Sequence, residues 1–293
     1  MVFALSDLSF TLSLLEVKFT LNQRMSTLPK APLLEVGFSI IWGKLPADTS
    51  FPKLGVNSTQ MVQIHYNQDE VSLFPVRLAT ELQRVGFSKF EALPNLLSPQ
   101  GMVQTMRFLS PNNPSQAIQS GMGIFSIHHG NDGYDWSPFK DLVMKGTSAF
   151  LSAFPNGFSN SDLLAIELRY VDGLPLSSDE DPFKFLEKTM ELSVSTPQSL
   201  ASYPGLNKEI AGSRINYGLR SNSPEGMFVI DLAQGTIPSG SAYILNTSIR
   251  SSKNEGISIT PEFLSIWLDR AHVLEKFSFK SMIKSEHART VFT

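Results

Sequence analysis

The stretch "LLEVGFSIIW" (33–42) alternates strictly, placing Leu34, Val36, Phe38, Ile40 and Trp42 on one side, the pattern of a strand with a buried face. "PVRLATELQRVGF" (75–87) switches to helical spacing, and "MVQTMRFL" and "SGMGIFSIH" read as strands separated by the turn-rich "SPNNPSQ". In "SPFKDLVMKGTSAFLSAF" (137–154) apolar side chains recur at 136, 139, 143, 150 and 154, again helical. The order then repeats. "LLAIELRYVDGL" (163–174) is a strand and "DPFKFLEKTMEL" (181–192) a helix. "SRINYGLRS", "GMFVIDLAQ" and "AYILNTSIR" are three alternating strands, and "TPEFLSIWLDRAHVLEKFSFKSMI" (260–283) is a long closing helix.

Three helices open on a capping residue followed by proline: Ser137-Pro138, Asp181-Pro182 and Thr260-Pro261. The side-chain oxygen can accept a free backbone N–H, and proline lacks a donor that would go unpaired there. Each half thus reads strand, helix, two or three strands, helix. We expect an α+β fold, a mostly antiparallel sheet with helices on one side, and a duplicated unit divided into 25–158 and 159–293. The first 24 residues are expected to be an extension, because Met25 opens the first domain-like segment.

Composition narrows the class. At 42% hydrophobic and 17% charged residues the chain is globular, and a net charge of -3 argues against a broad nucleic-acid-coating surface while leaving room for a local basic face and a nucleic-acid partner. Cysteine is absent, which removes disulfides, thiolate metal sites and cysteine nucleophiles and fits a cytoplasmic protein. No apolar run approaches the roughly 18 residues of a membrane span. The apolar start lacks a basic n-region and a small-residue cleavage site, so export is not expected.

Four candidate chemistries follow. In "IFSIHHGNDGYDW" (124–136), His128 and His129 stand near Asp132 and Asp135. Strand neighbours point to opposite faces and no metal-ligand spacing is present, so the stretch is expected to be a polar loop without a metal. In "WLDRAHVLEK" Asp269, His272 and Lys276 share a helix face, and a carboxylate beside imidazole can act as a general base. No GxSxG elbow or phosphate-binding glycine motif accompanies them, so no cofactor is expected. Glu167 and Arg169 share one strand face, as do Arg214, Asn216 and Arg220, and Asn246 and Arg250. Arg169, Arg214, Arg220 and Arg250 are therefore candidate binding residues, because the guanidinium fork suits carboxylates and other anions. Glu35 interrupts an apolar strand on the face of Gly37 and Ser39. If buried it needs a partner, and Arg169 supplies one if the first strands of the two halves lie side by side.

The segments "APLLEVGFSIIW", "IFSIHHGNDGYDWSPF", "LAIELRYVDGL" and "FLSIWLDRAHVLEKFSF" together resemble a sporadically distributed bacterial family of uncharacterised proteins of similar length. Pro32 and Glu35 match its opening, Tyr134 and Trp136 the aromatic pair before its central helix, and Arg169 and Tyr170 its Arg-Tyr pair. Asp269, Arg270 and His272 match its closing helix, whereas Asp172 stands where the family usually has asparagine. The resemblance implies a bacterial cytoplasmic α+β protein, associated with mobile or defence loci, with no established reaction. Glu35, Tyr170 and Trp136 are expected to be structural. The expected function is a non-enzymatic binding or regulatory module with a protein partner. The alternative is a hydrolase or nucleic-acid-processing enzyme using Asp269 and His272 with the arginine-bearing sheet face.

Overall fold

The computed structural model describes residues 32–43, 68–97 and 103–284, apart from short stretches at 122, 155–156, 160–161, 178–179, 191, 199–201, 206–209 and 211. The expected extension at 1–24 lies outside the described residues. One antiparallel sheet of nine strands runs through the fold in the order β2-β3-β4-β5-β1-β6-β9-β8-β7. Its first half comprises β1 (Leu33–Trp42), α1 (Gln68–Arg84), β2 (Lys89–Leu97), β3 (Val103–Ser110), β4 (Asn113–Gly121), β5 (Ile124–Gly130) and α2 (Trp136–Ala153). The second comprises β6 (Leu163–Pro175), α3 (Pro182–Thr189), β7 (Arg214–Asn222), β8 (Glu225–Ile237), β9 (Gly240–Ser252) and α4 (Pro261–Met282).

The strand order states the duplication directly. In each half the first strand is central, the next strand is outermost, and the later ones step back toward the centre. The two first strands, β1 and β6, pair antiparallel at the middle, with Phe38 opposite Leu168 and Ser39 opposite Glu167. The corresponding first strands of the two halves thus lie side by side within one continuous sheet.

Alternation divides the sheet faces. Val36, Phe38, Ile40 and Trp42 of β1 enter one buried cluster with Phe74 and Leu78 of α1, Phe139 and Phe150 of α2, Phe185 of α3 and Trp267 and Leu268 of α4. All four α-helices among the described residues therefore cover the same face, the arrangement the periodicity implies. The expected inner residues Tyr243, Leu245 and Ile249 are in this core, with Ile215 and Tyr217 packed at its margin.

Four local expectations are corrected. Strands β2 and β4 were not expected. β2 carries Pro94 at a register break, tolerable because it is a sheet edge, and β4 begins in "NPSQ", which imitates a turn. "SGMGIFSIH" is not one strand, since it turns at Gly123 (φ 82°) between β4 and β5. His128 and His129 lie within β5 rather than in a loop, pairing across to Gly37 and Val36. Ser137 does not cap α2. The helix begins at Trp136, two residues before the expected Pro138, and Asp135 is its N-cap without a side-chain hydrogen bond. The other two caps form as expected, Asp181 accepting from the Phe183 and Lys184 amides and Thr260 from that of Phe263. Helix α1 starts at Gln68 and carries Pro75 inside it; Phe74, Leu78 and Leu82 anchor it to the core.

Candidate functional site

The sheet face opposite the described helices is built around the β5-β1-β6 seam. Gly37 stands opposite both His128 and Arg169, and its missing side chain leaves room for theirs. Into this space Glu35 reaches from two residues away. Its Oε1 lies 2.5 Å from Arg169 Nη2 and 3.1 Å from His128 Nδ1. On the far side of the ring, His128 Nε2 meets Ser126 Oγ at 2.9 Å. Burial works to raise the Glu35 carboxyl, but the His128 hydrogen bond and the charges of His128, Arg169 and Arg107 hold it below its ordinary value. One row further, Arg250 Nε lies 3.8 Å from Glu167 Oε2, both side chains buried. Burial pulls the Arg250 guanidinium below its ordinary value, against the neighbouring Glu167 charge.

Serine, imidazole and carboxylate in series have the connectivity of an activated hydroxyl nucleophile. The position forbids that use. Ser126 is 1% exposed, and its strand is paired on both sides, so no substrate carbonyl can approach it. The series is a structural relay.

The candidate arginines lie on this same face by register. Arg214 makes two parallel bonds to Asp231, Nε–Oδ1 at 2.8 Å and Nη2–Oδ2 at 2.7 Å. Arg220 ends the row Glu167–Arg250–Met227–Arg220 across β6, β9, β8 and β7 and is exposed. Arg169, Arg214 and Arg250 thus each face a carboxylate of this chain, Arg169 and Arg250 with little exposure and Arg214 at the surface.

A second cluster lies on the helix side, where α2 and α4 meet β6. Tyr134 Oη, Tyr170 Oη and His272 Nδ1 form a chain with contacts of 2.7 and 2.8 Å. The Trp136 ring stacks on His272, centroids 4.1 Å apart and planes 6° from parallel. Asp269 does not bond His272. Its oxygens go to Lys140 Nζ at 2.7 Å and Trp136 Nε1 at 3.4 Å. Burial, aided by Lys276 and opposed by Asp269 and Asp135, lowers His272 to about 4. The imidazole is therefore a neutral, stacked ring at physiological pH and not a base armed by Asp269. Tyr134 and Tyr170 are both raised, chiefly by burial.

Deeper in, Asp172 of β6 is raised to about 7 by burial. Glu275 of α4 is 2% exposed and also raised, chiefly by burial, although the Thr247 hydroxyl and the Ile249 backbone oppose the shift. Neither Glu275 oxygen makes a hydrogen bond of ordinary geometry. Burial thus favours the neutral form of both acids, which avoids an uncompensated charge in the core.

His129 faces this core side, its Nδ1 2.5 Å from the Gly130 carbonyl oxygen and its ring edge-on to Tyr134. The two adjacent histidines therefore serve opposite faces of the sheet. Among the described residues no group of three His, Asp or Glu side chains is placed to hold a metal.

Sequence reasoning passed over the outer side of α4. Ile266, Val273 and Phe277 are 53%, 61% and 68% exposed, although all three are large and apolar. Their spacing of seven and four residues makes them one stripe, opposite the buried Leu264, Leu268, Ala271 and Glu275. The signal was present: α4 is apolar on two sides, and only one can face the core.

No protein-family model and no curated protein matches the chain. Among solved structures there is a likeness to the crystal structure of DynU16, a protein from the dynemicin biosynthetic locus. It has 12% identity over 64% of this chain and 80% of that one, with a TM-score of 0.19. Likeness at that level carries no argument about fold or function. No helix among the described residues is long and apolar enough to cross a membrane.

Proposed function

We propose that this protein is a non-enzymatic binding module whose partner is another protein. The observation that carries this reading is the apolar stripe of α4, exposed on a helix whose opposite side is fully packed. Exposed apolar patches of this kind are characteristic of protein–protein contact. The enzymatic alternative finds little support: Asp269 is engaged by Lys140 and Trp136, His272 is neutral, and Ser126 is sealed. Nucleic acid is disfavoured for a related reason. Phosphate binding needs cations in excess, whereas Arg169, Arg214 and Arg250 face carboxylates and the whole chain carries -3. The family resemblance adds a setting, a bacterial cytoplasmic system.

The test is a partner captured from the native host, then purified and mixed with the chain. Binding should survive with the wild type in analytical ultracentrifugation. It should be lost with Val273→Ser/Phe277→Ser while the thermal midpoint stays unchanged. A partner held equally by wild type and variant would refute the role of the stripe.

A further inference from the structure

Three cations of α4 lie beside the stripe. Arg270 lies between Ile266 and Val273 along the helix, and Lys276 and Lys280 flank Phe277. Among the described residues none of these three cations makes an ion pair. The acids of α4 cannot compensate them: Asp269 is held by Lys140, Glu275 is buried on the opposite side, and Glu262 is in the first turn. Lys276 is held below its ordinary value by burial and by the like charge of Lys280, so an incoming anion would relieve a repulsion that already exists.

The N-terminal end of the stripe opens into a cleft of about 390 Å³. Phe263, Ile266, Trp267 and Arg270 of α4 form one wall, and Pro224 and Glu225 of the β7–β8 turn form another. Trp267 is fixed there, its Nε1–H donating to Ser251 Oγ at 2.9 Å. The volume falls within the roughly 300–1,000 Å³ of ordinary binding pockets.

We infer that α4 docks an acidic amphipathic helix of the partner protein. The partner's apolar side lies along Ile266, Val273 and Phe277, one large apolar side chain enters the cleft, and its carboxylates meet Arg270, Lys276 and Lys280. This inference rests on the protein-partner reading above. Helix-on-groove recognition uses apolar anchors at such spacing, with charge setting orientation and partner choice. A large apolar side chain seated in a desolvated pocket is the kind of contact that concentrates binding energy. The recess also separates a protein from an anionic membrane. A flat lipid surface cannot fill a cleft beside α4.

The experiment is selection of phage-displayed helical peptides of about 18 residues, five turns, on the intact chain. Winning peptides should carry Asp or Glu one turn from their apolar positions. Measured by fluorescence anisotropy, their affinity should fall about tenfold or more on Lys276→Glu/Lys280→Glu and again on Val273→Ser/Phe277→Ser, with thermal midpoints preserved. Enrichment of basic or uncharged peptides, no enrichment, or indifference to charge reversal would each overturn the inference. So would co-sedimentation with vesicles of phosphatidylcholine and phosphatidylserine that the same substitutions abolish, since that outcome assigns the stripe to a membrane. If selection fails while Val273→Ser/Phe277→Ser still releases the natural partner, only the acidic helix falls. If that variant keeps its partner, the protein-binding role of the stripe falls with it.

Discussion

Arg169 reaches diagonally across the β1–β6 seam to place Nη2 2.5 Å from Oε1 of Glu35, joining the first strands of the two halves by a charged contact. Arg169 is mostly buried and Glu35 about one-third exposed, so the contact falls between a surface pair and a sealed one. Glu35→Ala and Arg169→Ala should each cost about 1–3 kcal/mol, because each leaves a half-buried partner unmatched. The double variant should lose less than the sum by about 1 kcal/mol or more. Chemical denaturation of the four proteins measures this. Additivity would mean that the two side chains are solvated independently and that the seam is held by apolar packing alone.

This contact was legible from sequence because it needed only strand alternation and the repeat of element order. Alternation placed Glu35 beside Gly37, the repeat aligned β1 with β6, and Arg169 became the reachable cation. The same logic missed β4, whose residues "NPSQAIQSG" offer Ile118 alone as a large core side chain. A strand needs little hydrophobicity when its neighbours β3 and β5 supply its ladder and its outer face is polar. Asp269 and His272 were seen to share a helix face, but shared face is not contact. Trp136, 133 positions away from Asp269, slides onto the imidazole and takes the carboxylate, and no local pattern announces that. The buried acids were equally hidden, since Asp172 and Glu275 look like surface residues until β6 and α4 close over them.

Helix α2 approaches β5 so closely that Gly146 has become a packing residue. A Cβ there would meet Ile127 Cδ1 at 2.6 Å and Ile118 Cδ1 at 3.5 Å. Replacing glycine by alanine inside a helix ordinarily stabilises by about 1 kcal/mol, and here the crowding offsets or exceeds that gain. Gly146→Ala should therefore be neutral to destabilising, and Gly146→Val should cost on the order of 1–3 kcal/mol. Ile127→Val alone should cost about 0.5–1.5 kcal/mol through its lost methyl. Combined with Gly146→Ala it should be more stable than the sum predicts, because the atom removed is the one in the way. Urea midpoints decide this, and a double variant at or below the additive value would place the close approach elsewhere.

His272 and Asp172 should titrate the fold in opposite senses. The His272 folded value is about 4, below its ordinary 6.5, so its contribution is present above about 6.5 and lost as the pH falls toward 4. Asp172 has a folded value of about 7, above its ordinary 3.8, so its contribution is present below about 3.8 and lost as the pH rises toward 7. Glu275 is raised in the same sense as Asp172, so the two are separated from His272 cleanly only with Glu275→Gln as the background. In that background, between about 4 and 6.5, the folded chain holds on Asp172 the proton that the unfolded chain holds on His272, and the two slopes cancel. Single further substitutions should uncover each one. Adding Asp172→Asn leaves the histidine contribution, so stability should rise with pH across that window. Adding His272→Phe leaves the carboxyl contribution, so stability should fall. Each change should be on the order of 3 kcal/mol, at about 1.4 kcal/mol per pKa unit. Guanidinium unfolding at half-unit pH steps supplies the curves. A flat profile for Glu275→Gln/Asp172→Asn would mean that His272 is protonated in the folded state. Because a protonated ring carries hydrogen on both nitrogens, its contact with Tyr170 would then run from Nδ1–H to the phenol oxygen, and the Tyr134–Tyr170–His272 chain would have to donate outward from the imidazole.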